Sequence, residues 1–185
     1  REVNKGYYGT ICLKNNVVEY DGATFFEVAG KEDNKLVFDE VTELEAGKPY
    51  IFLAESDELV AIYGTETATE AGKHNSLQGT FEDITDGEAG AVGNKLEGNY
   101  MDVNNIIKKC RAKCKLPENR AYFVATELEN NLGAAPQPMP GRRRVTMGVT
   151  GENGTTDLDN ITTTDTPVKV IENGKLIIIR DGVKY

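Results

Sequence analysis

The sequence predicts an all-β protein, an antiparallel β-sandwich with hairpin connections and little or no helix, followed by a short C-terminal β-meander. Two observations carry this. Runs of roughly four to eight residues rich in Val, Ile, Phe, Tyr and Thr recur every ten to twelve positions, with Gly, Asn or Asp between them. Several junctions also hold the residues that tolerate positive φ, which a two-residue β-turn requires.

In chain order the runs are YGTICLK, VVEY, ATFFEVA, KLVFDEV, PYIFLA, ELVAIYG, LQGTF, NYMDV, IIKKC, RAYFVAT, RVTMGV, VKVIE and KLIIIR, which sets thirteen strands as the upper limit. Asn15-Asn16 separates TICLK from VVEY, Asn104-Asn105 separates YMDV from IIKKC, and Asn173-Gly174 separates VKVIE from KLIIIR. Asp181-Gly182 then turns the chain into VKY, so 168–185 reads as a three-stranded meander that stops abruptly at Tyr185. Residues 1–150 form the expected sandwich, and the polar stretch 151–167 the expected linker. The segments 65–76 and 129–141 read as surface loops, the second stiffened by its prolines.

Length and charge narrow the function classes. A chain of 185 residues holds one domain with a sizeable core plus a small appendage. Its net charge of −9 repels phosphate backbones and anionic lipid, so nucleic acid is not expected as a partner. Direct membrane insertion is not expected either, because no apolar block is longer than the five residues of runs such as YIFLA (50–54). The chain opens REVNKGYYG without an initiator Met and reads as a processed or excised fragment.

The candidate chemistry is sparse. Three cysteines, Cys12, Cys110 and Cys114, fall short of a four-ligand zinc set, and the one histidine, His74, lies in a polar stretch, so no metal or cofactor is expected. Cys110 and Cys114 are four apart, which is not the C-x-x-C redox spacing. The segment 101–115 has two readings. As a helix, Val103, Ile107, Cys110 and Cys114 share one face; as a hairpin, YMDV and IIKKC pair through Asn104-Asn105. The hairpin agrees better with its β surroundings. Either way the cysteines read first as small buried side chains, with a bridge to Cys12 as the disulfide to test.

FDEVTELEAG (38–47), the densest acidic cluster, reads as a sheet edge and a solvated turn. Arg142-Arg143-Arg144 reads as the solvated start of a strand, and GEAGAVG (87–93) as a loop rather than a phosphate cradle. In LEAGKPYIF, Gly47 relieves a turn and Pro49 opens a strand. Arg120 is expected to pair with a carboxylate at the sheet margin. Tyr7, Tyr8, Tyr63 and Tyr100 are the aromatic candidates for contact with a ligand. One histidine and no catalytic motif argue against an enzyme.

In their order, GYYGTICLKNNVVEYDGATFFEVAG, LVFDEVTELEAGKPYIFLA, LQGTF and NRAYF resemble a module found near the C-termini of secreted and cell-surface proteins of Bacteroidetes-type bacteria. Such proteins often carry leucine-rich repeats, immunoglobulin-like or carbohydrate-active domains upstream. The resemblance spans residues 6–150, and the tail VKVIENGKLIIIRDGVKY is similar to the start of the segment that ends many of them. It implies a β-sandwich accessory module, exported to the outer surface, with no established catalytic centre. The alternative is a glycan-binding or host-protein-binding, adhesin-like module whose contacts lie in loops 65–76 and 129–141. Lys14 stands where the pattern commonly has Pro, and Cys110 and Cys114 are not part of it.

Overall fold

The computed structural model describes residues 3–32, 35–103, 105–137 and 141–150, together with the backbone of three strands within 168–184. The strands are β1 (Tyr8–Cys12), β2 (Asn15–Asp21), β3 (Ala23–Glu32), β4 (Lys35–Val41), β5 (Pro49–Ala54), β6 (Val60–Thr67), β7 (Lys73–His74), β8 (Leu77–Thr80) and β9 (Ile84–Thr85). They continue with β10 (Tyr100–Val103), β11 (Ile106–Lys109), β12 (Lys115–Leu116), β13 (Arg120–Phe123), β14 (Arg144–Thr150), β15 (Val168–Glu172), β16 (Lys175–Arg180) and β17 (Val183–Lys184). One wide helical turn, Glu127–Asn131, interrupts them. The fold is all-β.

All thirteen expected runs form strands, but thirteen is not the limit. The additional strands β7, β9 and β12 are two residues each, too short to leave a compositional run, while β17 is the third meander strand expected from VKY. Ten strands form one sheet in the order β1-β5-β3-β4-β14-β11-β10-β13-β8-β7. Neighbours are antiparallel except β11 and β14, which are parallel because β14 rejoins the sheet after a long excursion rather than through a tight turn.

Apolar side chains from both halves of this sheet meet in one core: Phe26, Leu36, Phe38 and Ile51 from the first half, Leu77, Ile107 and Phe123 from the second. The sheet is therefore folded over on itself as a sandwich with continuous layers. Several runs lack polar alternation because their strands are buried on both faces. In β3, Phe26 and Val28 enter the main core while Ala23 and Phe25 enter a second cluster. In β5, Ile51 faces the core, while Tyr50, Phe52 and Ala54 face the second cluster. That outer cluster is covered by a separate ribbon of β2 and β6, whose Val17 and Leu44 neighbour complete it. Outside the second half, Leu96, Cys110 and Leu116 form a third cluster beneath the 83–99 segment.

Turn chemistry has mixed outcomes. β10 and β11 pair as expected, with Val103 opposite Ile106 and Asn105 at φ 66°. β15 and β16 pair with Glu172 opposite Lys175, and β16 and β17 with Arg180 opposite Val183. The turn residues 104, 173, 174, 181 and 182 lie outside the described residues, as does the linker 151–167.

Asn15-Asn16 does not make a hairpin. Both residues belong to β2, which pairs with β6, while β1 pairs with β5. Tertiary pairing overrode the local turn preference, and the Asn16 side chain instead accepts the Glu66 N–H. Nor is 65–76 a plain loop, since β6 extends through Thr67 and β7 lies within it. The 129–141 segment starts in the helical turn and is tied to β3 where Ala134 bridges Lys31.

The acidic run is also not an edge. β4 lies between β3 and β14, and Asp39 is buried against Arg144 through two bonds, Nε to Oδ1 at 2.6 Å and Nη2 to Oδ2 at 2.8 Å. The third arginine of the basic run is thus a buried partner and not a solvated strand start. Gly47 takes φ 76° at the turn before Pro49 opens β5, as the sequence requires.

Candidate functional site: two clefts divided by Arg120

Where β10 leaves β13, the ladder between them is a single register pair, Tyr100 opposite Phe123. The place beside β13 is taken by β1, through side chains. The Thr10 hydroxyl donates to the Ala121 carbonyl at 2.8 Å and accepts the Ala121 N–H at 3.0 Å. Cys12 N–H donates to the Asn119 carbonyl at 3.1 Å. Arg120 Nη1 donates to the Thr10 carbonyl at 3.1 Å, which fixes the guanidinium at this seam.

The seam opens into two clefts with Pro117 and Arg120 as their common wall. The first, of about 400 Å³, lies between β1 and β10 and is lined by Tyr7, Phe52, Asp102, Val103 and Lys115. The second, of about 620 Å³, lies beneath the β2–β6 ribbon and is lined by Ile11, Val17, Leu59 and Tyr63.

Local sequence builds the first cleft in detail. Asn105 accepts the Tyr8 N–H through Oδ1 at 2.6 Å and donates to the Gly6 carbonyl through Nδ2 at 3.3 Å. The hairpin tip therefore grips both sides of Tyr7 and presents its ring at the cleft. At Gly9 a Cβ would stand 2.6 Å from the Phe52 ring and 3.3 Å from Arg120 Nη1, so glycine admits both side chains to the seam.

Asp102 faces this region from β10. Its Oδ1 is closed to solvent and has no hydrogen-bond donor among the described residues. Burial lifts the carboxyl to about 7, although the Asn105 N–H that it accepts pulls in the other direction.

The four candidate tyrosines separate into two kinds. Tyr7 is 44% exposed and Tyr63 57% exposed, one on each cleft. Tyr8 and Tyr100 are 6% and 4% exposed and belong to the main core. Tyr100 OH donates to Glu129 Oε1 at 2.7 Å, and the Tyr8 ring packs near Phe26. Tyr8 lines the first cleft while only 6% exposed, and Tyr100 lines neither cleft.

Comparison with family models, with curated proteins and with solved structures gave no match. The geometry therefore carries the functional reading.

The cysteines do not follow the expected bridge. Cys110 is bonded to Cys114, with Cα atoms 6.2 Å apart, and Cys12 is a free buried thiol. In a hairpin followed by a turn the two residues face each other, which the parallel side chains of one helical turn would not do. Cys12 is enclosed at the seam, where its Sγ donates to the Gly47 carbonyl at 3.2 Å and burial pushes the thiol to about 11. It is a core side chain, not a nucleophile.

Arg120 was expected to meet a carboxylate and instead meets a backbone carbonyl, because β1 and not an acidic margin lies beside it. His74 Nε2 is 3.6 Å from Glu27 Oε2, whose other neighbour is Lys48 at 2.9 Å. Burial, then the Lys48 charge, holds His74 below its usual value, so it is neutral at neutral pH. No group of three potential metal ligands occurs among the described residues. No described helix is long and apolar enough to cross a membrane.

Sequence reading missed Asp102. The signal was present in YMDV, where period-two alternation places a lone acid on the same face as Tyr100.

Proposed function

We propose that this chain is a non-catalytic accessory module of an exported bacterial cell-surface protein, and that it contributes by binding a ligand across the two clefts. The observation that carries the binding role is the placement of Arg120 between two clefts that each hold an exposed tyrosine. A cleft with apolar and aromatic walls and a few fixed polar groups is the usual form of a ligand site. The ordered sequence motifs support the module assignment. The Cys110–Cys114 disulfide supports an oxidising, extracytoplasmic location.

The competing spacer role needs no ligand. A glycan array and a pull-down of surface proteins, each run with the native protein and a Tyr7→Ala/Tyr63→Ala variant, separate the two. Retention by the native protein and loss by the variant are expected. A blank array together with an empty pull-down leaves the spacer role standing and overturns the binding role.

A further inference from the structure

We propose that the first cleft is a subsite for an acidic saccharide, a hexuronate whose carboxylate meets Arg120 and Lys115 and whose ring lies on Tyr7. This rests on the binding reading above and names its ligand class.

The cleft combines groups with different demands. Arg120 is held at the seam by the Thr10 carbonyl, and an arginine fork favours a planar carboxylate. Lys115 is exposed on the same wall and adds a second cation. In a chain of net charge −9, two cations lining one concavity form a local positive site in an acidic surface.

Asp102 asks for the opposite. Its carboxyl lines the same cleft and offers an acceptor oxygen to a donor there. A hydroxyl on the ligand supplies that donor. Tyr7, with Val103 and Phe52 nearby, provides an apolar and aromatic wall for the C–H face of a sugar ring.

Other ligand classes meet only part of this pattern. Inorganic phosphate satisfies the cations and leaves the tyrosine unused. A neutral sugar uses Tyr7 and Asp102 and leaves the cations with hydroxyl oxygens alone. An acyclic carboxylate brings no ring face to Tyr7. A uronate carries a carboxylate, hydroxyls and a ring face on one residue, and about 400 Å³ accommodates one or two such units.

Calorimetric titration with oligogalacturonate and oligoglucuronate of three or four units provides the test, with a neutral galacto-oligosaccharide of equal length and inorganic phosphate as comparison arms. We expect at least one uronate oligomer to bind, with the neutral oligomer about tenfold weaker or more, since losing one charged pairing is worth about that factor. Tyr7→Ala and Lys115→Gln, both at exposed positions, should each weaken uronate binding about fivefold or more. Val92→Ala, at an exposed position that lines neither cleft, should leave it unchanged. Arg120 itself is avoided because it holds the seam.

Neutral binding equal to uronate binding overturns the acidic class and leaves the binding role intact. Phosphate competing as well as the oligomers overturns the saccharide assignment in favour of a generic anion. Uronate binding that falls with Tyr63→Ala and not with Tyr7→Ala overturns the location. No binding by any probe overturns this proposal, and only the blank array and pull-down together overturn the broader role.

Discussion

Thr10 and Ala121 exchange two hydrogen bonds through a single hydroxyl, 2.8 Å outward and 3.0 Å inward, and so join β1 to β13 without a backbone ladder. The consequence is a seam that one hydroxyl holds together with the Cys12 N–H and Arg120 bonds. Thr10→Val keeps the shape and leaves the buried Ala121 N–H without its acceptor, at a cost of about 1–3 kcal/mol. Thr10→Ser retains the hydroxyl and should recover most of it. Urea unfolding of the three proteins checks this, and equal midpoints for native and Val forms would sink the role.

Arg144 and Asp39 form a buried, two-pronged pair, with Glu32 Oε1 a further 3.5 Å neighbour of the arginine. Removing one partner strands the other charge, so Arg144→Met should cost about 3–5 kcal/mol. Adding Asp39→Leu removes the stranded charge and should restore part of the loss. A double mutant that is no more stable than Arg144→Met in thermal unfolding would contradict this account.

Asp102 makes stability depend on pH in a direction opposite to that of a salt-bridged acid. Its folded carboxyl titrates near 7, above the value in an unfolded chain. Between about pH 4 and 7 the folded state holds a proton that the unfolded state has released, so stability falls as pH rises through that window and levels off above it. Asp102→Asn removes the charge and keeps an acceptor for the Asn105 N–H. The variant should gain on the order of 1–3 kcal/mol at pH 8 and little at pH 4. Denaturation midpoints across that range are the measurement, and parallel pH profiles for the two proteins would refute it.

The Cys110–Cys114 bridge closes a very short loop over the third cluster. Chain-entropy arguments give such a loop about 2 kcal/mol. Replacing both cysteines by serine should lower stability by about that amount and first release amide protection around Leu96 and Leu116, while the main core stays protected. Hydrogen exchange read by mass spectrometry locates the effect. Uniform loss across β1–β5 would argue against a local staple.

Sequence patterning revealed strands better than their partners. Runs such as ATFFEVA and PYIFLA announced burial through continuous apolar character, and Asn105 announced a tight turn through its tolerance of positive φ. Asn15-Asn16 offered the same local signal and lost to long-range pairing of β1 with β5 and β2 with β6. The Asp39–Arg144 pair was hidden because its members are 105 positions apart and each sits in a run of like charge. The clefts were half legible. Tyr7 and Tyr63 could be named from composition, but their separation from Tyr8 and Tyr100 depends on where each side chain packs after folding.

Cys12 lies wholly inside, against Gly79 and behind the bond from its own N–H to Asn119. The other two cysteines are spent on each other, so this is the single thiol left to react. A thiol reagent added to the native protein therefore has nothing to modify until β1 parts from the groups that enclose Sγ, Gly79 of β8 and the turn at Gly47. Its labelling rate becomes a clock for the opening of that enclosure, supplied by the chain itself.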